Sequence, residues 1–134
     1  MDLPHRIRNL IDTSSQTIQL CIQGTQAEYQ GRPAEAKTLY SQAWKAANNN
    51  IDRCVAAHYV ARFQDTPAER FQWNKAALDY ANAADGEQVK GFYPSLYLNL
   101  GHSFEELGNQ VEAEHYYALA TRLGSRHNPD HQNT

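Results

Sequence analysis

The sequence predicts an all-α protein of stacked antiparallel helix pairs with no β-sheet, and three observations carry that expectation. The chain matches itself at an offset of 77 residues, which aligns Gly24 with Gly101, Glu28 with Glu105, Gly31 with Gly108, Glu35 with Glu112, Ala36 with Ala113, Tyr40 with Tyr117 and Ala43 with Ala120. Pro33, Pro67 and Pro94 each suit the first turn of a helix, where the missing N–H costs nothing. The composition holds 18 Ala and 11 Leu against 5 Ile and 4 Val, which favours helix over strand.

At 134 residues, 41% hydrophobic and 20% charged, the chain is the size of one globular domain and needs neither disulfide nor metal to fold. A net charge of −3 argues against nucleic acid as a partner, since such binders carry a basic excess. No apolar run approaches the roughly 18 residues of a membrane span. The start, MDLPHRIRNLID, has no signal-peptide core. A cytoplasmic location without membrane association is therefore expected.

Each element follows from the repeated unit and its punctuation. Within the unit the first glycine lets a neighbouring helix approach, and the second takes the φ > 0 conformation that ends a helix. The later Ala, Tyr and Ala put small and large groups on one face of the next helix. Residues 4–12 carry Ile7, Leu10 and Ile11 at helical spacing and should form a short N-terminal cap. Helices are then expected at about 15–30, 33–47, 51–63, 67–83, 94–107 and 110–123. Thr13 with Gln16, and Thr66 with Glu69, have capping-box spacing. A middle unit lies between the two matching copies, with Ala57 where the others have glycine, Trp73 where they have tyrosine and Ala76 at the last alanine. Its nine surplus residues belong to a longer second helix and to the segment 85–93, where 87–91 would add a turn to the next helix and Pro94 would kink it. Residues 126–134 read as a disordered polar tail.

The order of small residue, glycine, alanine, aromatic and alanine resembles the tetratricopeptide repeat, a helix-turn-helix unit of about 34 residues. The segment YPSLYLNLGHSFEELGNQVEAEHYYALATRLGSR places Tyr97, Leu100, Gly101, Phe104, Gly108, Ala113, Tyr117 and Ala120 in the signature columns. The earlier copy keeps Leu20, Gly24, Ala27, Gly31, Ala36, Tyr40 and Ala43. The middle stretch AAHYVARFQDTPAERFQWNKAALDYA resembles that of short bacterial tetratricopeptide proteins, which implies no activity. The resemblance implies a right-handed α-solenoid of three such units with a short N-terminal capping helix. It would form a single domain over 1–125, with repeats at about 17–50, 50–93 and 94–125.

By the same resemblance, the first helix of each repeat lines a concave groove. The residues that would face a partner there are Cys21, Thr25 and Glu28 in the first repeat, Cys54, His58 and Arg62 in the middle one, and Leu98, His102 and Glu105 in the last. Ile18, Tyr29, Ile51, Ala61, Ser95 and Glu106 occupy the remaining groove columns. The columns of the family's chaperone-tail clamp hold Cys21, Thr25, Val55, Ser95 and Asn99, which lack its cationic donors, so that ligand is not expected.

Two functional classes follow. The preferred one is a non-catalytic interaction module that holds a peptide or helix of a partner, with three carboxylates around one arginine suiting a segment of some positive charge. The alternative is a small-ligand or metal-sensing accessory protein that uses Cys54, His58 and His102. No CxxC or HExxH spacing supports a metal, and Cys21 and Cys54 should be free thiols. No phosphate loop, nucleophile elbow or strand pattern is present, so neither an enzyme nor a cofactor is expected. Tyr40, Tyr117, Trp73 and Phe104 fall in packing columns, whereas Phe92 and Tyr93 adjoin the irregular insert and could border a site. Val111, Tyr116, Leu119 and Leu123 on the outer face of the last helix favour a homodimer.

Overall fold

A computed structural model describes residues 15–84 and 87–124. The expected cap at 4–12, Thr13 and the tail at 126–134 with His127 and His131 lie outside the described residues. Within them the chain is helical without a strand: α1 Gln16–Tyr29, α2 Pro33–Ala46, α3 Asn50–Val60 with a 3-10 turn Ala61–Phe63, α4 Pro67–Ala84, α5 Glu87–Lys90, α6 Tyr93–Glu106 and α7 Gln110–Arg122. No helix among these residues is long and apolar enough to cross a membrane.

The boundaries have local causes. Ser15, Asn49 and Asn109 cap α1, α3 and α7 by accepting the N–H of Ile18, Asp52 and Glu112. Thr66 accepts the N–H of Glu69 at 3.1 Å and donates its hydroxyl to the Glu69 carboxylate at 3.0 Å, as their spacing suggested. Gly31 at φ 76° and Gly108 at φ 81° end α1 and α6. At each, the N–H of the following residue reaches back five positions, Arg32 to Ala27 at 2.8 Å and Asn109 to Phe104 at 2.9 Å. These are Schellman caps, which require the left-handed conformation a glycine adopts without strain.

The helices pack as pairs, α1 with α2, α3 with α4 and α6 with α7. α3 rests on both helices of the first pair, whereas the last pair docks through α6 onto α4. Gly24 and Gly101 sit where the pairs close. A Cβ on Gly24 would lie 2.4 Å from the Tyr40 ring, and one on Gly101 would lie 2.5 Å from the Tyr117 ring. The two copies of the repeated unit thus share one packing device, a tyrosine ring laid on a bare glycine.

The middle unit departs from its sequence reading in two ways. Ala77 is fully buried whereas Ala76 is only half-buried, and Trp73 is also half-buried, edge-on to Trp44 at 5.0 Å. One residue turns a helix by about 100°, so this register brings Arg70 to the position that Ala36 and Ala113 hold in the other copies. The insert differs as well. α5 is a separate single turn broken from α6 at Gly91 and Phe92, and Pro94 lies in the first turn of α6 rather than at a kink. Phe92 borders no open site, because it is 1% exposed and meets the His58 ring edge-on at 5.0 Å. Tyr93 is half-buried and donates its hydroxyl to Asn82 at 2.7 Å. On α7, Val111 and Leu123 are exposed, while Tyr116 is half-buried and stacks on Phe104 at 5.6 Å.

Candidate functional site

The nine groove residues separate by depth. Cys21 and Cys54 belong to the core at 1% and 0% exposure, and His58 is 3% exposed, so no partner at the surface meets the two thiols. Leu98 is half-buried. Thr25 donates to the carbonyl of Cys21 at 2.9 Å and so spends its proton within α1. Glu28, Arg62, His102 and Glu105 reach the surface.

A depression of about 160 Å³ gathers some of them between α3, α4 and α6. His58, Ala61 and Arg62 come from α3 and its 3-10 turn, Arg70 and Asn74 from α4, and Asn99, His102, Ser103 and Glu106 from α6. Asn99 donates its amide to Nδ1 of His58 at 3.1 Å, and Asn74 donates to the Ser103 hydroxyl at 2.9 Å. Arg70 binds Glu106 through two donors at 3.2 and 2.9 Å and the carbonyl of Gln64 at 2.8 Å, which ties α4 to α6. Arg62 bonds Glu28 of α1 at 2.8 Å. Burial works against the Arg62 charge, but the Glu28 carboxylate outweighs it and holds the guanidinium pKa above its usual value. The Glu106 carboxylate does the same for Arg70.

Two tyrosines order the carboxylates. Tyr40 donates to Glu28 at 2.6 Å, and Tyr117 donates to Glu105 at 2.6 Å. Because the single Tyr117 proton goes to Glu105, Nδ1 of His102, 2.9 Å from the same hydroxyl, is the protonated nitrogen and donates to it. Both phenols are held above their usual pKa, first by burial and then by the carboxylate that accepts their proton. Glu28 and Glu105, the first of the two glutamate pairs in the self-match, are therefore the acceptors of the two repeated tyrosines.

Sequence reasoning missed Arg70, Asn74 and Ser103. Arg70 was concealed by the one-residue error in the α4 register. Once the buried Ala77 is aligned with Ala43, an arginine stands where a small residue packs in the other copies. A larger cavity of about 390 Å³, lined by Ile18, Asn49, Ile51, Asp52, Ala84 and Gln88 among others, was also missed. Asp52 there accepts from Ser15 at 3.0 Å and from Asn49 at 3.2 Å, so its carboxylate serves the caps of α1 and α3.

Among the described residues, no group of three or more His, Cys, Asp and Glu side chains is placed to hold a metal ion. Both cysteines are free thiols. Burial pushes the Cys21 thiol up to about 12, with the Asp52 charge adding to it, and burial alone pushes Cys54 up to about 12. A raised folded pKa contributes stability that is fully present below the unfolded value near 9 and is lost as pH rises from about 9 to about 12. Thermal melts should therefore fall steeply above pH 9, and Cys21→Ala with Cys54→Ala should flatten that slope. Native protein at pH 8 should react with a disulfide reagent far more slowly than unfolded protein. Reaction at the unfolded rate would contradict the burial of both thiols.

Compared with protein-family models, with curated proteins and with solved structures, the chain matches none of them.

Proposed function

We propose that the chain is a tetratricopeptide-type α-solenoid acting as a non-catalytic interaction module in the cytoplasm, an adaptor or regulator that holds a peptide or helix of a partner protein. The observation that supports this reading is the convergence of charged and amide side chains from α3, α4 and α6 on one shallow depression. Its volume of about 160 Å³ is well below the ~300–1,000 Å³ of most small-molecule sites, so a side chain of a docked segment suits it better than a free metabolite. The carboxylates around it are already bonded, Glu28 to Tyr40 and Arg62, and Glu106 to Arg70. They act as fixed orienters of the two arginines, whose remaining donors are available to a partner's carbonyl or carboxylate.

The experiment is capture of partners from source cells with the tagged full chain. Arg62→Ala combined with His102→Ala should reduce recovery of a specific partner by about tenfold or more, as hot-spot truncation does, with little change in melting temperature. His58 is not a clean probe, because its ring packs edge-on against Tyr59 and Phe92 and its loss would disturb the core. Recovery unchanged by the double variant would end this reading.

A further inference from the structure

Three carboxylates around one arginine predict a basic partner segment, and the hydrogen bonds at the depression point the other way. Glu28 accepts from Tyr40 on one oxygen and from Arg62 on the other, while Glu106 accepts from Arg70 on both. Every oxygen of these two carboxylates thus already holds a donor. Glu105 is bonded to Tyr117 and does not line the depression.

Donors, by contrast, are in surplus. A guanidinium carries five N–H groups. Arg62 spends one, on Glu28, and Arg70 spends three, on Glu106 and the carbonyl of Gln64. Both side chains reach solvent, at 51% and 28% exposure. Asn74 and Asn99 each commit one N–H to a buried group, the Ser103 hydroxyl and Nδ1 of His58, and the second N–H of each amide meets no acceptor among the described residues. Ser103, 2% exposed, accepts from Asn74 and likewise finds no acceptor among them for its own proton. Both arginines, both amides and this hydroxyl line the same depression, and what they lack in common is an acceptor.

We propose that the depression takes a carboxylate side chain, an Asp or Glu within the partner segment, with Arg62 and Arg70 as its guanidinium donors. The inference rests on the reading of the depression as the partner site and names the group it selects. Guanidinium forks match a carboxylate bidentately, and Glu28 and Glu106 fix both forks in advance, so binding has little side-chain freedom left to remove. The charge suits one negative group and not two. Each arginine is already offset by its own glutamate, and a doubly charged phosphate would meet the Glu106 carboxylate in the lining. At about 160 Å³ the depression encloses too little of a free small acid to retain it, so the carboxylate is carried by a longer segment.

The probe is a display library of random peptides joined to their carrier at the C-terminus, so that no free chain end is offered, panned against the tagged full chain. Enriched peptides should share an Asp or Glu at one position. In the tightest of them, synthesised with an amidated end, exchanging that acid for its amide should weaken binding by about tenfold or more. Arg62→Gln in the protein should do the same with little change in melting temperature, and the two changes together should cost little more than either alone. Arg62→Lys, which keeps the charge and loses the fork, should fall between Arg62→Gln and wild type. Enriched peptides without a shared acid, equal binding of the amide peptide, or additive losses would overturn the carboxylate and leave the peptide-binding reading standing. Binding tightened by about tenfold when phosphoserine replaces the acid would assign the depression to a phosphorylated partner and overturn it as well. A library from which no peptide is enriched would overturn both readings together.

Discussion

Phe92→Ala is expected to destabilise the protein by about 3–5 kcal/mol, the range for truncating a fully buried aromatic. Phe92 is 1% exposed and stands among the largest buried side chains, between the short α5 and the start of α6. Its ring fills space against His58, and alanine would leave a void lined by that imidazole. Neighbouring helices close such a void only in part, so the lost transfer energy and the cavity term add. Against a total stability of about 5–15 kcal/mol for a domain, this is a large fraction. Phe92→Leu, which keeps most of the volume, should cost under about 1.5 kcal/mol. Denaturant titration of the three proteins followed by circular dichroism checks both values. A loss below about 1 kcal/mol for the alanine variant would show that α5 and Phe92 are peripheral to the core.

The second large effect is expected at Gly101. Alanine there puts a methyl carbon 2.5 Å from two ring carbons of Tyr117, closer than real Cβ atoms come, and leucine adds three further carbons. The ring lies between the two helices of the last pair, so relief requires them to part. Gly101→Leu should cost roughly 1–3 kcal/mol or more by overpacking. The cause is testable through coupling. In a background of Tyr117→Ala, itself destabilising, the additional cost of Gly101→Ala should largely vanish, an interaction energy of order 0.5–3 kcal/mol. Gly24→Ala should behave alike, since its Cβ would lie 2.4 Å from Tyr40. Additive losses in the Gly101 and Tyr117 cycle would mean that the clash is not what glycine avoids.

Features of the fold that depend on nearby residues were legible in the sequence. The self-match at 77 residues marked Gly31 and Gly108 as helix ends and Gly24 and Gly101 as points of close approach, and all four serve those roles. A left-handed cap or a bare patch under a ring is a demand on a single position that few other residues meet. Pro33, Pro67 and Pro94 marked helix starts for the same kind of reason. The tyrosine-to-glutamate bonds were latent in the same identities, although spacing alone did not reveal that Glu28 and Glu105 accept from Tyr40 and Tyr117.

What the sequence by itself determined, then, is the helical class, the pairing of helices and the devices within each pair, because these arise from local backbone geometry and from contacts a few turns apart. Only the tertiary structure decided which way each helix faces its neighbours across pairs. That rotation is set by packing over long separations, and one residue of register moves a side chain by about 100° around the helix. It turned Cys21, Cys54 and His58 into the core, brought Arg70 onto the rim beside Arg62, and drew Phe92 from a loop into the interior.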